Sequence, residues 1–180
     1  MRKLAALALL LCSVGMVAVS AQKRIFTNPK PDAGLRQLFP KAAVFSPLGG
    51  ALPHFKAYAA DPRTNPGAEP IGFAFWTTDM VPQEHGYHGP IHILVGMDLA
   101  GILTGVVVDY DAEPYGYFSV EPTEFATQFA AKSIREPFTV GKDVDAVSRA
   151  SITITSATRA IRDSSRMFAK EYLAPDAVKR

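Results

Sequence analysis

Cysteine is nearly missing from this chain. The single one, Cys12, lies inside an uncharged run from Leu4 to Ala21, so the remainder has no thiol for a disulfide, a Cys-ligated zinc site or an iron–sulfur cluster. Any redox chemistry there must use a group that is not bound through sulfur. An excess of charge of either sign is missing too. Arg2 and Lys3 account for two of the 19 basic residues, which leaves 17 beyond the apolar run against 17 acidic ones. A formally neutral remainder lacks the electrostatic footprint that nucleic acid demands, and no nucleic-acid partner is expected. No Gly-rich phosphate loop, Walker pattern or nucleophile elbow occurs, and no internal repeat or low-complexity tract is visible.

What is present begins with a targeting pattern. Arg2-Lys3 and 18 uncharged residues that end in the small residues Val19-Ser20-Ala21, before Gln22-Lys23-Arg24, read as a secretory signal peptide. The same run is close to the lower limit for a spanning hydrophobic helix, so a retained anchor fits as well. Either reading delivers the remainder across a membrane. The expected location is the periplasmic side of the inner membrane, anchored by residues 4–21 or released after cleavage near Ala21. Residues 22–34 (QKRIFTNPKPDAG) are polar, carry two prolines and suit a tether.

Residues 35–173 then read as one domain, followed by a short tail at 174–180. Leu35 to Phe39 predicts a helical turn stopped by Pro40. Apolar runs at Ala43–Ser46, Phe55–Ala59, Ile71–Thr77, Ile91–Asp98 and Ile102–Tyr110, each bounded by Gly, Pro, Asn or Asp, predict five strands. The short Asp98-Leu99-Ala100-Gly101 connection fits a hairpin, with Gly101 able to take a positive φ. Helical spacing follows from Glu121 to about Lys132. It returns from Thr155 or Ser156, where Ala157, Ala160, Ile161, Ser164, Phe168 and Tyr172 share one face. Strands followed by helices predict an α+β fold, an antiparallel sheet packed with helices, preceded by one N-terminal hydrophobic helix.

The stretch Asp145-Ala-Val-Ser-Arg-Ala-Ser-Ile-Thr-Ile-Thr155 stands where that last helix begins. Unpaired N–H groups and the helix dipole favour an anion there. Ser148, Ser151, Thr153 and Thr155 offer hydroxyls, and Arg149 and Arg159 add positive charge. On spacing alone, a Ser- and Thr-rich strand leading into an elaborate N-cap is the favoured reading. His85, His88 and His92 raise the question of a metal, but no nearby acidic set completes a site, and none is expected.

Aligned as Asp145-x-x-Ser148-Arg149-Ala150-Ser151-Ile152-Thr153, the stretch resembles the Asp-x-x-(Ser/Thr)-Gly-Ala-Thr motif of the FMN-binding domain family. It is closest to the exported flavin domain of NosR and is also similar to the covalent-FMN subunits of the Rnf and Na⁺-translocating NADH:quinone reductase complexes. Leu38-Phe39-Pro40, Ile71 to Phe75, Thr77-Thr78-Asp79, Gly86 to Ile91, Leu94 to Asp98, Gly101-x-x-x-Gly105 and Glu113-Pro114 follow in the same order. The resemblance implies an FMN cofactor, covalently held by a phosphoester on the motif's final hydroxyl, here Ser151, with Thr153 as the second candidate. Two residues depart from the motif: Ser151 replaces Thr and Arg149 replaces Gly. By the same resemblance, Gly86-Tyr87-His88-Gly89 is the loop expected to meet the flavin ring, and Glu113 a further contact. The implied role is an exported, membrane-associated electron-transfer protein or accessory redox subunit rather than a self-contained enzyme. A flavin transferase would mature it, and a membrane redox complex or exported redox protein would be its partner. The alternative is a flavin-free interaction or structural subunit that keeps the fold.

Overall fold

The computed structural model describes residues 31–178. Helix α1 (Asp32–Leu38) is followed by strands β1 (Val44–Phe45), β2 (Phe55–Tyr58) and β3 (Pro70–Trp76) and by the short helix α2 (Thr77–Met80). Strands β4 (His92–Asp98) and β5 (Leu103–Tyr110) precede three helices, α3 (Gly116–Ser119), α4 (Thr123–Thr127) and the 22-residue α5 (Ser151–Tyr172), with α6 (Pro175–Val178) at the end. The five strands pair in sequence order, every neighbour antiparallel. An α+β fold with a five-stranded antiparallel sheet is therefore present.

Both faces of this sheet are covered, which explains why its central strands are nearly continuous apolar runs rather than alternating ones. Phe73, Phe75, Ile93, Val95, Met97 and Val106 point to one side, where α5 lays Ile154, Ala157, Ile161 and Phe168 against them. These α5 positions recur at helical spacing, so one apolar stripe faces the sheet. Phe168 stacks on Phe75 with ring centroids 4.6 Å apart. The opposite side presents Phe55, Ala57, Ala74, Trp76 and Leu94 to Leu35, Leu38 and Phe39 from α1 and the residue after it. The β4–β5 hairpin turns at Gly101, whose φ is +76°, as the sequence predicts. Asp98 closes the turn by accepting from the N–H groups of Ala100 and Ile102, both at 2.9 Å.

Two helical expectations change. The segment after Glu121 is regular only over Thr123–Thr127 before it breaks into turns. The last helix starts at Ser151, ahead of its predicted start at Thr155 or Ser156. The hydroxyl-rich stretch is thus partly the first turn of the helix and not a strand running up to it.

The predicted N-terminal hydrophobic helix falls on residues outside the described ones. Among the described residues no helix is long and apolar enough to cross a membrane. Helix α5 has the length, about 33 Å at 1.5 Å per residue. It carries Arg159, Arg162, Asp163, Arg166, Lys170 and Glu171, and charges such as these cost about 2.5–3.5 kcal/mol each at the centre of a bilayer. The expectations of membrane attachment through a helix and of an inner-membrane-anchored periplasmic placement, with a membrane complex as partner, are corrected on this finding.

Candidate functional site

The site is assembled around one buried carboxylate. Glu113, in the connection after β5, is 8% exposed. Its Oε1 accepts from the His88 N–H at 2.8 Å and the Gly89 N–H at 3.3 Å, and its Oε2 from the Tyr87 N–H at 2.8 Å. Oε2 also accepts a short hydrogen bond from the Thr153 hydroxyl on α5. The carboxylate therefore ties the Gly86–Gly89 loop to the first turn of α5. Gly86 is needed for this approach, since a Cβ there would lie 2.5 Å from Glu113 Oε1. Burial pushes the Glu113 carboxyl up, but the bonds from Thr153 and from the His88, Tyr87 and Gly89 N–H groups outweigh it and hold the group below its ordinary value.

The loop is pinned to α5 a second time. Ser156 Oγ donates to the His85 carbonyl at 2.5 Å, and Arg159 pairs with Glu84 at 3.1 Å. On the other flank, Asp111 accepts from the Glu113 N–H at 3.0 Å, and the Gly116 N–H donates to the Glu113 carbonyl at 3.1 Å. These bonds fix the turn that carries Pro114 and Tyr115.

Between the three pieces lies a cavity of about 390 Å³ lined by Tyr87, Pro114, Tyr115, Arg149, Ala150, Ser151, Ile152 and Thr153. The N-terminus of α5 opens into it. Despite its hydroxyl-rich surroundings, the helix has Ala150 at its N-cap and no side-chain cap hydrogen bond. The capping alternative raised by the sequence is thereby removed. The first N–H groups of a helix have no partner within it, so this end is suited to an anion. Arg149 precedes it with a φ of +69°, a conformation that costs an L-residue about 1–2 kcal/mol and that the Gly of the family motif would adopt freely.

The predicted residues separate into three groups. Ser151, Arg149, Ala150, Thr153 and Tyr87 line the cavity, while Glu113, His88 and Gly89 form the bonded frame beside it. The two candidate hydroxyls differ sharply: Ser151 is exposed, whereas Thr153 is 3% exposed and its hydroxyl is committed to Glu113. Asp145 and Ser148 are exposed in the preceding loop and do not line the cavity, and the Asp145 N–H donates to Gln128. Pro114 lines the cavity as its place beside Glu113 suggested. Tyr115 and Ile152 line it as well and were not foreseen. Their signal is exposure, which a sequence does not display: Tyr87, Tyr115 and Ile152 are 70%, 44% and 57% exposed.

Of the three histidines near the loop, His92 is buried and stacked on Trp76 at 4.1 Å, and His85 bonds to the Pro82 carbonyl. Among the described residues no group of three or more His, Cys, Asp or Glu is placed to hold a metal ion. A larger cavity, about 700 Å³, lies between α1 and the β1–β2 edge and is lined by none of the predicted site residues.

Residues 86–165 match the model of a family described as FMN-binding domain. An FMN-binding domain is present. All eight residues that line the cavity lie inside the matched segment. No curated protein matches the chain. The cavity residues fit the cofactor: an uncapped helix end and a cation suit its phosphate, and exposed tyrosines and an isoleucine suit its ring.

Two outcomes follow from this geometry. Because the Glu113 carboxyl lies below its ordinary value, its stabilising contribution is complete above about pH 4.3, the unperturbed value for Glu, and is lost as pH falls through its value in the folded protein. Glu113→Gln should lower stability at pH 7 by about 1–3 kcal/mol. The variant should also lose less stability than the unmodified protein between neutral and acid pH, read from urea unfolding at each pH. Arg149→Gly should raise stability by up to about 1 kcal/mol, the relief of strain less the entropy that glycine adds to the unfolded chain; a lower urea midpoint would contradict the strain assignment.

Proposed function

We propose that the domain is an electron-transfer module that holds FMN in the cavity at the start of α5, with the FMN phosphate joined to Ser151 Oγ as a phosphoester. One observation carries the reading. An exposed hydroxyl, an uncapped helix N-terminus and exposed aromatic side chains line one cavity inside the segment that matches the FMN-binding model. Phosphate chemistry alone leaves Tyr87, Tyr115 and Ile152 unexplained; an aromatic ligand alone leaves the helix end unexplained.

When bound, FMN supplies the electron-carrying chemistry. The chain's own residues bind and orient it. The first N–H groups of α5 and the Arg149 guanidinium hold the phosphate, Ser151 Oγ is the point of attachment, and Tyr87 meets the ring. Thr153 has the opposite role, because its proton is already given to Glu113 and its oxygen is buried. It orders the first turn and leaves attachment to Ser151.

The test is intact mass on protein made in a host that supplies FAD and a flavin transferase, so that the Ser151 hydroxyl takes the FMN phosphoryl group from the FAD anhydride and AMP leaves. The unmodified chain should gain the mass of FMN less one water, Ser151→Ala should not, and Thr153→Ala should retain the gain. A gain that disappears only in Thr153→Ala would move the attachment to Thr153. An unmodified chain that binds no flavin, covalently or otherwise, would overturn the reading and leave a fold kept for interaction alone.

A further inference from the structure

Three large apolar side chains that line the cavity are exposed, out of seven such residues exposed among the described ones. Concentration of this kind marks a contact surface. Tyr87 was expected from the sequence to meet the flavin ring. Tyr115 was not, yet it lines the same cavity from the other chain segment that Glu113 holds in place.

We propose that Tyr115 is a second positioning residue for the flavin ring, touching it together with Tyr87; this rests on the flavin reading above. Three observations support it. The backbone around Tyr115 is fixed rather than loose: the Gly116 N–H donates to the Glu113 carbonyl, and Ser119 Oγ donates to the Tyr115 carbonyl at 2.7 Å. Its ring is braced by Phe118, at 5.4 Å between centroids, within the range of a productive aromatic contact, while 44% of the residue stays exposed. Finally, the carboxylate that receives the Tyr87 N–H belongs to Glu113, two residues before Tyr115. One group therefore sets the position of both tyrosines, and a ring bound between the loop and the turn meets two prepared aromatic surfaces.

The experiment reads the excited-state lifetime of the bound flavin, which a tyrosine in contact with the ring shortens by donating an electron to the excited flavin. Flavin-loaded unmodified protein is compared with Tyr115→Ala, Tyr115→Phe and Tyr87→Ala. The Phe variant keeps the packing on Phe118 and removes the easily oxidised phenol, so it serves even if the Ala variant folds poorly. A severalfold longer lifetime in both Tyr115→Phe and Tyr115→Ala, with flavin still bound, supports the proposal. Lifetimes equal to those of the unmodified protein in both, with only Tyr87→Ala lengthened, would overturn it while leaving the flavin site intact. Absence of flavin from the unmodified protein would overturn the site and this inference together.

Discussion

A carboxylate withdrawn from water must be repaid by hydrogen bonds, and at Glu113 the repayment organises the whole site. Its two oxygens take three backbone N–H groups from one loop and a hydroxyl from the first turn of α5. Without the carboxylate those donors would be unsatisfied beside a cavity, and loop, turn and helix would have no common reference. The bonds at Ser156 and Arg159 fasten the loop to the helix but do not reach the turn at Tyr115. Glu113 belongs to that turn and bonds to both of the other two pieces.

The sheet makes such an arrangement possible. Because α5 covers one face and α1 the other, the central strands are buried. The connections at the ends of β3, β4 and β5 then hold their positions while carrying polar and exposed side chains, a usual place for binding residues. Strain at Arg149 is the one local expense visible at the site. A cation is kept in a backbone conformation that suits glycine, directly before an uncapped helix end, and strain of this kind is tolerated where the surrounding structure imposes it.

Much of this was legible beforehand. All five strands were readable because β-rich apolar runs were punctuated by turn residues, and the hairpin at Gly101 was readable from its length and its glycine. The start of α5 was not. Ser151, Ile152, Thr153 and Ile154 favour extended backbone by local preference, and packing of Ile154 and Ala157 on the sheet overrides it. The motif singled out Ser151 and Arg149, and the wider resemblance singled out Glu113. Which of Ser151 and Thr153 is accessible was not legible, because it depends on a carboxylate 40 residues away in sequence. Tyr115 left no trace in periodicity, since it lies in an irregular turn whose position only the Glu113 and Ser119 bonds define. The membrane expectation rested on residues 1–21, outside the described residues, and α5, the longest described helix, is too charged to support it.

The most direct test of the account is a crystal structure of the flavin-loaded protein. The account predicts the phosphate at the N-terminus of α5 with density continuous to Ser151 Oγ, and the ring beside the Gly86–Gly89 loop in contact with Tyr87 and Tyr115. Flavin seated elsewhere, for instance between α1 and the β1–β2 edge, would contradict it.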